Sequence, residues 1–152
     1  MARRARPPVS RQSAFWDSSA LVPLCITQPA SSRVAPYWKR FNPIVWWGTA
    51  IEIESALARL LRMNQISATE HAKATRMFKA LEEDWTVVQP GEPLSFTARQ
   101  AVRNYDLTAA DALQLAASLA WCEGSPQGRL FMTCDVRLRN AALLAGFNAP
   151  AL

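Results

Sequence analysis

Histidine occurs once, at His71, and cysteine three times, at Cys25, Cys122 and Cys134, with no two of the three close in the chain. That scarcity removes the nitrogen and sulfur ligands a zinc centre needs, and an odd, scattered set of thiols does not make a disulfide framework. Thiols used this sparingly fit a reducing cytosol, where they pack as small hydrophobes. No stretch approaches the ~20 apolar residues of a membrane span. The first twelve residues carry the charge of a secretory signal's opening region, but the apolar run that should follow is broken by Asp17 and Pro23. A soluble, cytoplasmic protein is expected.

Charge of one sign is also scarce outside the beginning of the chain. The net charge of +5 rests on seventeen basic and twelve acidic residues, and Arg3, Arg4, Arg6 and Arg11 lie in the first eleven positions. The rest is nearly neutral, so the sequence offers a short basic arm and not a broadly basic surface. The expected organisation is an arm over residues 1–12 followed by one domain over 13–152. A chain of 152 residues, half of them hydrophobic, is long enough to bury a full core without disulfides or structural metal.

Within the domain, short apolar runs alternate with helical patterns. Residues 14–16, 44–47, 85–88 and 130–133 read as strands. Helices are expected at 20–26, 31–40 and 49–63, from Ser67 to about 84, and at 93–105. Thr108 caps another helix, and the last runs from about 136 to 145, stopped by Gly146. Ser67 with Glu70 three places on is a capping-box pattern. Strands separated by helices imply parallel pairing, hence an α/β domain of three layers.

In an open parallel sheet, ligands bind beyond the carboxyl ends of the strands, so the acids that land there matter most. Asp17 follows the first strand and Asp135 the fourth; either alone can simply cap the next helix. Glu52 and Asp111 lie in first helical turns among small and apolar neighbours, without a basic residue at ion-pair spacing. Each alone can favour the positive end of its helix. Together the four fall on one rim of one sheet, which points to a single site. Glu54 shares the context of Glu52 but lies about 200° around the helix. Glu82, Glu83 and Asp84 read as a solvated run. An oxygen-only set of ligands suits Mg²⁺ or Mn²⁺, and such ions support phosphodiester hydrolysis.

These residues carry a resemblance. The segments Asp17-Ser18-Ser19-Ala20-Leu21-Val22, Thr49 to Leu57, Leu107 to Ala116, and Met132 to Leu138 with Ala141, Ala142 and Gly146 are similar, in order and spacing, to the PIN-domain ribonucleases. Within that family the chain resembles the VapC-type toxins of bacterial toxin–antitoxin systems. The resemblance spans nearly all of residues 14–147.

It implies a PIN-like α/β/α domain with a central parallel sheet of about five strands, the fifth near Phe147. It further implies a Mg²⁺- or Mn²⁺-dependent endoribonuclease whose metal-binding acids match Asp17, Glu52, Asp111 and Asp135. Ser19 matches the hydroxyl that orients the first acid, although it is also an ordinary helix-start residue. An antitoxin protein as partner, a homodimer and an RNA substrate are expected on the same ground. Gln114 stands where many relatives carry His, and Cys134 where an aromatic or small residue is usual; neither is an expected metal ligand.

Arg137 is a candidate for contacting substrate phosphate, because guanidinium suits bidentate binding, and is otherwise a surface residue. The tryptophans are core or interface candidates, with base stacking open to one or two. Two other functions compete. One is a catalytically inactive PIN-like module that binds RNA or protein. The other is a phosphatase with Asp17 as nucleophile, disfavoured because Ser19 occupies the place where such enzymes carry a second Asp as acid.

Overall fold

The computed structural model describes residues 11–152. Residues 1–10, and with them most of the basic arm, lie outside the described residues. The described chain forms strands β1 (Ser13–Trp16), β2 (Asn42–Trp46), β3 (Thr86–Val88) and β4 (Leu130–Met132). Between and after them run helices α1 (Ser18–Cys25), α2 (Ser31–Arg40), α3 (Thr49–Arg62), α4 (Ala68–Glu82), α5 (Glu92–Tyr105), α6 (Ala109–Trp121) and α7 (Val136–Ala145). No described helix is long and apolar enough to cross a membrane.

All strand pairs are parallel, in the order β3-β2-β1-β4, with Phe15 opposite both Ile44 and Phe131. Side chains on a strand alternate between faces, and each face here has its own apolar layer. Ala14, Trp16, Val45 and Met132 join Leu21, Val34, Ile53, Leu57 and Phe78 on the side of α1 to α4. Phe15, Ile44 and Phe131 join Leu94, Leu115, Leu138 and Ala142 on the side of α5 to α7. A sheet covered on both faces has almost wholly apolar strands, which is why the sequence shows apolar runs where a half-exposed sheet would alternate.

The sheet has four strands where about five were expected. The tail beyond α7 makes one parallel bridge, Asn148 to Leu130, with Phe131 N–H donating to Asn148 O and Asn148 N–H to Arg129 O, each at 2.9 Å. Phe147 and Ala149 are buried there, so the segment packs as anticipated. Pro150 follows at once and has no N–H to extend the ladder.

Helix boundaries follow local chemistry. Ser67 and Glu70 form the reciprocal capping box, Thr108 caps α6 through the Asp111 N–H, and Gly146 closes α7 in the left-handed region at φ 109°. The order places β2 and β3 on one side of β1 and β4 on the other. The crossovers change faces with it: α1 to α4 cover one face, α5 to α7 the other. Between the carboxyl ends of β1 and β4 the winding therefore reverses, and such a point opens a crevice.

Candidate metal-binding and catalytic cleft

A cleft of about 920 Å³ opens at this place, and Glu52, Asp111 and Asp135 line it together with Ser18, Ser19 and Cys134. The first turns of α3 and α6 bring Glu52 and Asp111, and the turn after β4 brings Asp135. Asp17 lies beneath, only 3% exposed, at the end of β1, where its N–H donates to Met132 O at 2.9 Å.

Asp17 and Asp135 both cap helices. Asp17 Oδ2 accepts from Ser19 N–H at 3.2 Å, and Asp135 Oδ1 accepts from Leu138 N–H at 2.7 Å. Capping occupies one carboxylate oxygen and leaves the other, so the structural and chemical roles of these residues coexist.

The Asp17 carboxylate is more heavily held than a cap needs. Its Oδ2 also accepts from the hydroxyl of Ser19 and, at 2.9 Å, from Thr133 Oγ1. Ser19 Oγ in turn accepts from Cys134 N–H at 2.9 Å, and Thr133 Oγ1 from Asp135 N–H at 3.1 Å. The two hydroxyls thus tie the ends of β1 and β4 together around one carboxylate. Oδ1 receives only a 3.3 Å contact from Ser18 Oγ.

Glu52 is held from both sides. Ser18 Oγ donates to Oε2 at 2.7 Å, and Gln114 Nε2 donates to Oε1 at 3.1 Å. Gln114 is fully buried, also donates to Thr49 Oγ1 at 3.1 Å, and leaves its own Oε1 without a partner. A buried amide whose only bonds are donated toward a carboxylate and a hydroxyl is a device for fixing that carboxylate.

The electrostatics follow from burial and like charge. Burial pushes the Asp17 carboxyl above its ordinary range against the hydrogen bonds of Ser19 and Thr133, with the charge of Asp111 adding to the rise. Burial, chiefly, lifts Glu52 to about 7; the Ser18 bond opposes it, and the charge of Asp17 contributes. Asp111 is raised by burial, lowered by Thr108, raised by Asp135 and lowered by Arg137. The Cys134 thiol is pushed up by burial and then by Asp17, which disfavours a thiolate ligand.

Arg137 partly offsets Asp111, whereas no cation lowers Asp17 or Glu52. The donor set is oxygen only, which fits a hard dication. Among the described residues no three His, Cys, Asp or Glu side chains already stand as a closed ligand group, so joint ligation requires these side chains to draw together.

Glu54, the second choice at its position, is exposed and outside the cleft lining. Arg137 is also exposed and outside the lining; its charge reaches Asp111 from the rim. Ser18, Thr133 and the bonding role of Gln114 are additions to the sequence reading. Thr133 stands two residues before Asp135 at a strand end, a placement that could have flagged it. Gln114 stands one turn after Asp111.

Replacing Gln114 with Leu is expected to weaken Mn²⁺ binding about 10- to 100-fold, as loss of such a supporting bond does. Folding should be retained, since the change also removes an orphaned carbonyl. Calorimetric titration beside a thermal melt reads both quantities.

No protein-family model matches the chain, and no curated protein matches it. Solved structures do. A toxin–antitoxin complex from Klebsiella pneumoniae superposes with a TM-score of 0.57 at 15% identity, covering 81% of this chain and 87% of that one. PAE2754 from Pyrobaculum aerophilum gives 0.63 at 20% identity over 91% and 89%. FitAcB from Neisseria gonorrhoeae gives 0.61 at 18% identity over 89% and 96%. At these identities the likeness is one of fold. The PIN-like α/β/α architecture expected from the four motifs is the architecture found.

Proposed function

We propose that the chain is a metal-dependent endoribonuclease, the toxin of a toxin–antitoxin pair, acting in the cytoplasm on single-stranded or looped RNA. The observation that carries this reading is the cleft at the sheet's switch point, into which separate elements bring Glu52, Asp111 and Asp135 above a buried Asp17. The toxin role draws support from the fold shared with the Klebsiella toxin–antitoxin complex. An antitoxin partner and a homodimer belong to the same proposal.

Glu52, Asp111, Asp135 and Asp17 would hold Mg²⁺ or Mn²⁺. When bound, the ion supplies charge neutralisation at the scissile phosphate and a more acidic water. The chain supplies the rest. Ser19 and Thr133 fix the Asp17 carboxylate through Oδ2 and leave Oδ1 as its available donor atom. Ser18 and Gln114 set the plane of the Glu52 carboxylate. Without metal the Glu52 carboxyl titrates at about 7; a bound dication would favour its ionised form, so its role here is that of a ligand.

A second reading, a PIN-like binding module without chemistry, is favoured by the lack of a ready ligand group among the described residues. Incubation of the purified protein with end-labelled single-stranded RNA separates the two. Fragments formed in Mg²⁺ or Mn²⁺, and their loss in excess chelator, are expected of the nuclease. Intact RNA under every metal condition would favour the module.

A further inference from the structure

The cleft has a second region with different chemistry. Trp47 follows β2, and its N–H donates to Val88 O at 3.0 Å, which fixes the backbone to the sheet edge. The residue nevertheless remains 50% exposed while lining the cleft. The other five tryptophans are buried or half-buried. Trp46 backs this ring edge-on, with centroids 6.3 Å apart. Trp46 is itself confined on one side, because even a Cβ at Gly48 would come within 2.6 Å of its Nε1. Trp47 is therefore an open aromatic face on a rigid support.

Along α3, Ile51, Glu52, Ser55, Arg59 and Leu60 recur at helical spacing, and all line the cleft. Arg59 lies two turns beyond Glu52, about 10.5 Å along the helix axis. The residues three and four places away from it are Ser55, Ala56, Arg62 and Met63, so its own helix offers no acid at ion-pair spacing. One cleft thus presents an aromatic platform, a carboxylate cluster and a cation.

We infer that Trp47 and Arg59 form a substrate subsite: Trp47 stacks an unpaired nucleobase, and Arg59 pairs with a phosphate of the same strand next to the one at the carboxylates. This rests on the ribonuclease reading. Both parts suit a single strand, whose bases are free to stack and whose backbone is a polyanion. Inside a duplex both faces of a base are covered by the stacked pairs above and below it. An apolar protein segment could cover Trp47 and Ile51 but would give Arg59 no anionic backbone to meet, so charge complementarity favours RNA.

The test measures binding of a fluorescently labelled single-stranded oligoribonucleotide to the whole protein in chelator, by anisotropy over a range of salt concentrations. Trp47→Ala is expected to weaken binding between about fivefold and a hundredfold while leaving the salt dependence unchanged. Trp47→Phe should stay within about threefold of the parent. Arg59→Gln should reduce the slope of log affinity against log salt by about 0.7, one phosphate contact on a single strand. A purely structural role at either position would not divide the effects this way, and thermal melts confirm that each variant folds.

Unchanged affinity and slope in both Trp47→Ala and Arg59→Gln overturns the inference and leaves the surface to a protein partner, even if the parent protein cuts RNA. The expected losses in a protein that cuts no RNA would support the subsite while refuting the nuclease.

Discussion

Asp17→Asn is expected to lower RNA cleavage by about 10²- to 10⁴-fold while leaving the metal-free protein as stable as before or more so. Asparagine is as good a helix cap as aspartate, and with its oxygen in the place of Oδ2 it still accepts from Ser19 N–H and from the Ser19 and Thr133 hydroxyls. What disappears is a desolvated negative charge, whose burial is costly when nothing offsets it. Its removal should raise stability by about 1 kcal/mol, a shift of roughly 2–5 °C in the melting midpoint for a domain of this size. The cleavage loss reflects a missing metal-binding oxygen. Parental cleavage rates in Asp17→Asn would reduce this residue to a cap.

The second large effect is a dependence on pH that reverses sign with metal. Glu52 is raised from 4.5 to about 7, and Asp17 and Asp111 are raised as well. The folded protein therefore binds protons more tightly at these groups than the unfolded chain. For Glu52 the associated stability is present below about 4.5 and is lost as pH rises toward 7. The metal-free melting midpoint should accordingly fall between pH 5 and pH 8 through these groups.

Metal ligation needs ionised carboxylates. At pH 5.5 Glu52 stands 1.5 units below its pKa, so Mn²⁺ affinity should be about thirtyfold weaker there than at pH 8. Melting curves with and without Mn²⁺ across this range give both slopes, because a ligand that binds the folded state stabilises it in proportion to its affinity. An Mn²⁺ stabilisation equal at pH 5.5 and pH 8 would remove Glu52 from the site.

Much of the fold is legible in the sequence because its signals are local. Strand-to-helix transitions at Asp17 and Asp135, the Ser67 capping box and the stop at Gly146 each depend on residues within a few positions of one another. The placement of Asp17, Glu52, Asp111 and Asp135 on one rim follows from topology, because the carboxyl ends of parallel strands share an edge.

Pairing across long separations is less legible. Thr133 reaches Asp17 across 116 positions and Gln114 reaches Glu52 across 62, and nothing beside either residue announces its partner. The fifth strand contracts to a bridge because Pro150 ends its donors, a detail overshadowed by the apolar Phe147. Arg137, chosen for proximity to Asp135 in sequence, projects from α7 at the rim and not into the cleft lining.

Diffraction from crystals grown in Mn²⁺ and recorded at the manganese absorption edge tests the metal site most directly. The expected result is an anomalous peak in the cleft, with carboxylate oxygens from at least two of Glu52, Asp111, Asp135 and Asp17 at about 2.1 Å. A saturated crystal with manganese only elsewhere, or with none bound while these carboxylates remain apart, would contradict the account.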